Sequence, residues 1–232
     1  MPGTLYIIAT PIGNLGDITL RALTVLKSAD FVLCEDTRVT QKLLKHYEIT
    51  TPTLRYNEHE SETEVSRIVN FLNQGKNLAL VSDAGTPGIS DPGGKLAEYI
   101  CRYARDIKIV PIPGPSALIA AASISGFRMD KFVFLGFPPA KNKRKKFFSE
   151  VASAQYPVIL YESPHRILKT LNDLLKIVPD RDLVVCRELT KKFETIYRGT
   201  ASEVINMLPR NEIKGEFVIT LVPGNYTNDS QP

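Results

Sequence analysis

Between Ser82 and Gly94 the chain gathers four of its 14 glycines, two prolines and two aspartates into 13 residues. So many turn formers exceed what one chain reversal requires. Glycine lets backbone approach a bound molecule without a Cβ in the way, proline fixes φ, and the Asp83 carboxylate can accept from hydroxyl or amine donors. The chemistry is that of a loop holding a small molecule, with a long surface turn as the plainer alternative. Charge gathers in three other places, at Glu35-Asp36-Thr37-Arg38, at Glu162-Ser163-Pro164-His165-Arg166 and at Arg187-Glu188-Leu189-Thr190-Lys191-Lys192. His59, flanked by Glu58 and Glu60, is the one histidine kept as a functional candidate, although a solvated loop histidine is the commoner outcome. From Lys141 to Lys146 five cations (Lys141, Lys143, Arg144, Lys145, Lys146) fall in six residues beside Phe147 and Phe148. A charge run is commonly a solvated face, but one set among aromatics suits a phosphate backbone.

Two cofactor readings fail on spacing. Glu35 lies 19 residues beyond Gly16, as in a dinucleotide-binding unit, yet Gly13 and Gly16 give only Gly-x-x-Gly and Pro11 intrudes. His46, His59 and His165 share no helical face, and no Cys-x-x-Cys pair joins them, so no metal site is expected.

These residues need elements to position them. Apolar runs at Leu5 to Ala9, Phe31 to Cys34, Thr53 to Tyr56, Leu78 to Val81 and Ile107 to Ile112 read as strands. Helical spacing separates them, at Thr19 to Ser28, Thr40 to Tyr47, a segment capped by Ser61 and Glu64 and ending at Asn73, and Lys95 to Ala104. Strands alternating with helices predict a mostly parallel sheet, with each polar or small-residue loop at a carboxyl edge where ligands bind. After an alanine-rich helix from Ser116 to Ser125 the alternation loosens. Strands at Phe132 to Phe137, Val158 to Tyr161, Leu183 to Cys186, Thr195 to Arg198 and Phe217 to Val222 predict an α+β domain with a mixed sheet. The expected division is an α/β domain over 1–125, an α+β domain over 126–224 and a polar tail over 225–232.

Composition places limits. A hydrophobic share of 43% and a charged share of 23% are those of a globular protein, and no apolar run nears the roughly 20 residues of a membrane span. Three unpaired cysteines and the lack of a signal-like start point to the cytoplasm. A net charge of +4 is too small to prove a nucleic-acid partner.

Taken in order, Thr10-Pro11-Ile12-Gly13-Asn14, Glu35-Asp36-Thr37-Arg38, Ser82-Asp83-Ala84-Gly85-Thr86-Pro87, Pro113-Gly114-Pro115-Ser116-Ala117 and Tyr161-Glu162-Ser163-Pro164-His165-Arg166 resemble the motifs of the tetrapyrrole methylase superfamily, S-adenosylmethionine-dependent methyltransferases. The resemblance runs from Leu5 to Val218. It implies a two-domain α/β fold, a homodimer, and S-adenosylmethionine in a cleft between the domains. Ile12, Asp83, Ser116 and Ala117 match cofactor-contacting positions, with Ser82, Ala84 and Thr86 beside them and Ser163 and Gly215 matching more loosely. Relatives acting on tetrapyrroles carry a short Gly-Asp-Pro loop where this chain has Asp83 to Gly88, and this departure favours the superfamily's RNA branch. That branch implies methyl transfer to the ribose 2'-hydroxyl of a cytidine in 16S ribosomal RNA of the small ribosomal subunit.

A 2'-hydroxyl is a poor nucleophile at neutral pH, so it must be aligned with the methyl group and helped to lose its proton. Glu35, Arg38, His59, Glu188 and Lys191 are the candidates for base or ribose-positioning group, with no single base singled out. Two alternatives stand beside this reading. One is a methyltransferase for a tetrapyrrole or other small molecule; the other is a non-catalytic ribosome-binding factor.

Overall fold

In the first half of the chain the residues of each apolar run leave alternately on opposite sides of one sheet, so both faces must be covered. A computed structural model describes residues 1–57, 62–91, 93–209 and 213–224. His59, Ser61 and the tail over 225–232 lie outside the described residues. The chain divides into two units, Met1–Ser116 and Ala117–Pro232.

The first unit holds strands β1 (Thr4–Ile8), β2 (Phe31–Cys34), β3 (Thr53–Arg55), β4 (Leu78–Val81) and β5 (Lys108–Ile112), with helices α1 (Leu20–Ser28), α2 (Thr37–His46), α3 (Glu62–Asn73) and α4 (Gly94–Tyr103) between them. The strands form one parallel sheet in the order β3-β2-β4-β1-β5. Ile8, Val32, Cys34, Ala79 and Val81 meet Ala22 and Leu26 of α1 and Leu44 of α2 on one face. Leu5, Leu33, Leu78 and Leu80 meet Ile68 and Leu72 of α3 and Leu96 and Ile100 of α4 on the other. Helix α2 begins three residues earlier than its apolar spacing predicts, because the Asp36 side chain caps it by accepting from the Arg38 N–H at 2.8 Å.

The second unit holds α5 (Ala117–Ile124), β6 (Val133–Gly136), α6 (Arg144–Ser153), β7 (Val158–Glu162), α7 (Ile167–Ile177), β8 (Leu183–Arg187), β9 (Thr195–Gly199), α8 (Ala201–Met207) and β10 (Phe217–Leu221). Its sheet runs β6-β7-β10-β8-β9, with β6 and β7 parallel and the remaining pairs antiparallel, the mixed arrangement expected. Val158, Leu160, Val185, Phe217 and Ile219 form a core with Phe148, Leu171 and Val204. Helix α5 lies against β10. The Arg198 guanidinium closes its far end by donating to the carbonyls of Ser125 at 2.6 Å and Ile124 at 2.5 Å, two acceptors that the helix itself leaves open. The division falls before α5, which packs on β10 of the second unit.

All three cysteines are free; Cys101 on α4 is exposed, while Cys34 and Cys186 are buried. Burial pushes both buried thiols up, Cys186 to about 11. Among the described residues no helix is long and apolar enough to cross a membrane.

Candidate functional site

In the first unit β1 and β4 are neighbours, but the connection after β1 runs to β2 beyond β4, while the one after β4 runs to β5 beyond β1. Loops leaving adjacent strands in opposite directions open a crevice at the carboxyl edge, where ligands of such sheets bind. Backbone joins those loops. The Thr10 N–H donates to the Gly85 carbonyl at 2.9 Å and the Gly85 N–H returns a bond to the Thr10 carbonyl at 3.0 Å. The Thr10 hydroxyl donates to the Ser82 carbonyl at 3.1 Å. The loop after β5 comes so close that a Cβ on Gly114 would stand 3.1 Å from the Ala9 Cβ, a tight contact that glycine avoids. Ile12, Ser82, Asp83, Ala84, Thr86 and Ser116 are thus brought to one edge; Ala117 opens α5 in the second unit.

Asp83 is exposed at this edge, as is Glu35, and it accepts the Asp36 N–H at a long 3.4 Å. Partial desolvation pushes its carboxyl up; the Asp36 N–H opposes the shift and the Asp36 charge adds to it. Asp36 itself is held at about 2 by hydrogen bonds from the Arg38 side chain, Nε to Oδ1 at 3.0 Å and an Nη to Oδ2 at 2.6 Å, and from its backbone. Arg38 is therefore tied to Asp36, and Glu35 beside it is exposed.

In the second unit the ends of β7 and β8 flank the start of β10, with Glu162 and Arg187 both paired in register with Phe217. That register sets Ser163 and Glu188 on either side of the start of β10, with Lys191 and Gly215 beside Glu188. The Lys191 ammonium donates to Glu188 Oε1 at 2.9 Å and Glu216 Oε2 at 3.0 Å, and the Glu216 N–H also reaches Glu188 Oε1 at 3.0 Å. Burial pushes the Glu188 carboxyl up, but the bonds from Lys191 and Glu216 outweigh it and hold it below its ordinary value. Burial likewise pushes Lys191 down, and its two carboxylate partners outweigh that and raise it. Gly215 has φ +101°, and a Cβ there would stand 2.4 Å from the Glu188 Cγ, so the network closes only around a glycine.

The basic run does not present all five cations alike. Lys143 turns the chain with φ 64°, and Arg144, the first residue of α6, points inward. Its guanidinium donates to Asp173 at 2.7 Å, to the Thr170 hydroxyl at 2.8 Å and to the Pro139 carbonyl at 2.9 Å, and it lies 4.9 Å from the Phe148 ring centroid. The Thr170 hydroxyl donates in turn to Glu162 Oε2 at 2.5 Å, while Glu162 Oε1 accepts the Ser163 N–H at 2.8 Å. Arg144 is thus an internal tie rather than a surface contact for phosphate, whereas Lys141, Lys143, Lys145 and Lys146 stay exposed. Thr170, Asp173 and Glu216 escape a reading of the sequence, since each gains its role from a partner distant in the chain.

A family model described as Tetrapyrrole (Corrin/Porphyrin) Methylases matches residues 4–205. The chain belongs to the tetrapyrrole methylase family. It is similar to this methylase family's members named ribosomal RNA small subunit methyltransferase I. One, from Halalkalibacterium halodurans, is 45% identical over 96% of this chain and 76% of the relative. Another, from Synechocystis, is 48% identical over 94% of this chain and 78% of the relative. Among solved structures, a cobalamin biosynthetic enzyme, cobalt precorrin-4 methyltransferase, superposes with a TM-score of 0.69 at 21% identity, covering 94% of each chain. That likeness shows the two-domain methylase fold.

Proposed function

We propose that this tetrapyrrole methylase family member is an S-adenosylmethionine-dependent methyltransferase that modifies a cytidine ribose 2'-hydroxyl in 16S ribosomal RNA, acting as a cytoplasmic homodimer on the small ribosomal subunit. The relatives named as small-subunit ribosomal RNA methyltransferases support the substrate class. The observation that carries the cofactor reading is the edge at which the Thr10–Gly85 bridge aligns narrow backbone beside Asp83. Its donor set fits. Small residues leave room for a flat, polar molecule, and the Asp83 carboxylate keeps acceptor capacity for hydroxyl or amine donors. Ile12, Ser82, Asp83, Ala84, Thr86, Ser116 and Ala117 would hold the cofactor, with Ser163 and Gly215 as the further contacts that the family resemblance implies.

When bound, S-adenosylmethionine supplies an electrophilic methyl group. The chain's own residues then hold the ribose in line and accept the hydroxyl proton. Arg38 is ion-paired to Asp36, Lys191 is held charged between two carboxylates, and Glu188 is held below its ordinary value. These three act as fixed charges that orient the ribose. Glu35, exposed at the same strand-end edge as Asp83, and His59 are left as candidate proton acceptors.

The test is transfer of labelled methyl to small subunits lacking their modifications, with naked 16S RNA and a porphyrinoid precursor alongside. The expected result is label in the RNA that protects the adjacent phosphodiester from alkaline cleavage, abolished by Asp83→Ala. Label in the porphyrinoid alone would establish a small-molecule enzyme. Cofactor and subunit binding without label in any acceptor would establish a non-catalytic factor.

A further inference from the structure

The inward turn of Arg144 leaves the neighbouring lysines around a concavity. A cavity of about 330 Å³ lies between the first turn of α6 and α7, lined by Lys141, Lys143 and Lys145 on one side and Lys169 on the other, with Arg144 and Asp173 in its wall. Lys169 comes from a different helix and lies outside the basic run. Its ammonium donates to the Ala140 carbonyl at 3.2 Å, which holds it over the turn that carries the run. Among the described residues no carboxylate pairs with these four lysines, because the one acidic group lining the cavity, Asp173, is already engaged by Arg144. Arg144 in turn is fixed by Thr170 and the Pro139 carbonyl, so the turn and α7 are tied at the cavity wall. Four uncompensated ammoniums converging from two tied elements differ from a charge run spread over a solvated helix face.

We propose that this cleft seats a backbone phosphate of the RNA substrate, with Lys169 as a contact and Arg144 as the positioning residue that holds the cleft open. The proposal rests on the RNA reading given above and names where the RNA backbone is gripped. A phosphodiester is the ligand that four point charges without directional acceptors recognise, independent of base sequence. Binding there releases counterions, so its signature is the salt dependence of affinity.

Binding of a single-stranded RNA oligonucleotide to the full chain, followed by fluorescence anisotropy across a salt series, tests this. Lys169→Ala is expected to weaken binding equally for unrelated sequences and to lower the slope of log K against log salt by about 0.7 to 1. Lys169→Arg retains the slope. Lys176→Ala, which removes the same charge from the same helix outside the cleft, leaves the slope unchanged. Equal losses in Lys169→Ala and Lys176→Ala would overturn the proposal, leaving diffuse charge as the cause. Displacement of the RNA by low inorganic phosphate at matched ionic strength would overturn it in favour of a free-anion site. Absence of salt-dependent RNA binding by the unaltered chain, together with methyl transfer to a porphyrinoid, would remove the RNA reading and this proposal with it.

Discussion

At the carboxyl edge of the first sheet, Thr10 and Gly85 join two loops by exchanging backbone bonds, and Asp83 accepts a single long bond from the Asp36 N–H. At the corresponding edge of the second sheet the ties are side chains: Lys191 spans Glu188 and Glu216, and Arg144 reaches Glu162 through Thr170. A backbone-built edge leaves its carboxylate available to a ligand. A side-chain-built edge consumes its charges internally and serves as a frame. Substitutions at the first edge are therefore expected to register in binding alone, and those at the second in folding as well.

The sharpest way to break this contrast is Arg144→Leu. Loss of the buried guanidinium removes three hydrogen bonds and leaves the Thr170 oxygen and the half-buried Asp173 carboxylate without their partner, at a cost of about 3 kcal/mol. Urea unfolding should show that loss; a shift under about 1 kcal/mol would mean the second edge is no frame. Gly215→Ala comes next. A side chain at φ +101° is strained, and its Cβ must displace Glu188 from Lys191, together costing about 2 to 3 kcal/mol in the same assay. Asp83→Asn is the counter-case. Melting should be unchanged while affinity for S-adenosylmethionine, measured calorimetrically, falls by about tenfold, as for loss of a charge-assisted hydrogen bond worth about 1.5 kcal/mol. Because the Asp83 carboxyl is raised above 3.8, its charged form fails on acidification sooner than an ordinary carboxylate would. Affinity should fall as pH drops toward that raised value, and Asp83→Asn should flatten the profile.

The smallest effect belongs to the opposite edge of the first sheet, where the exposed Lys76 pairs with the half-buried Asp30 at 2.9 Å. Lys76→Ala should cost about 0.5 kcal/mol after screening. The bond from Lys76 holds the Asp30 carboxyl below 3.8, so its contribution is present above that value and lost as pH falls through the lowered one. Unfolding near neutrality and at about pH 3 should therefore differ less in the variant than in the unaltered chain.

The sequence is informative where local chemistry decides the outcome. Alternating apolar runs mark the strands, and the loops at Thr10, Ser82 and Pro113 announce themselves by small and turn-forming residues. The start of α2 is missed because Asp36 reads as part of a charged motif, although its cap is what begins the helix. The order β3-β2-β4-β1-β5, which makes the loops after β1 and β4 neighbours, is set by packing across the chain and leaves no local trace. Arg144 shows the same limit at one residue. Within a run of cations nothing distinguishes it, and only Thr170 and Asp173, brought alongside by α7, turn it inward.

The unequal burial of the three cysteines has a practical use. A thiol-directed dye attacks as thiolate, so Cys34 and Cys186, buried and pushed up, should stay silent while Cys101 on α4 reacts. The far end of α4 thus carries a natural attachment point for a fluorophore, and the unaltered chain can be labelled at a single site.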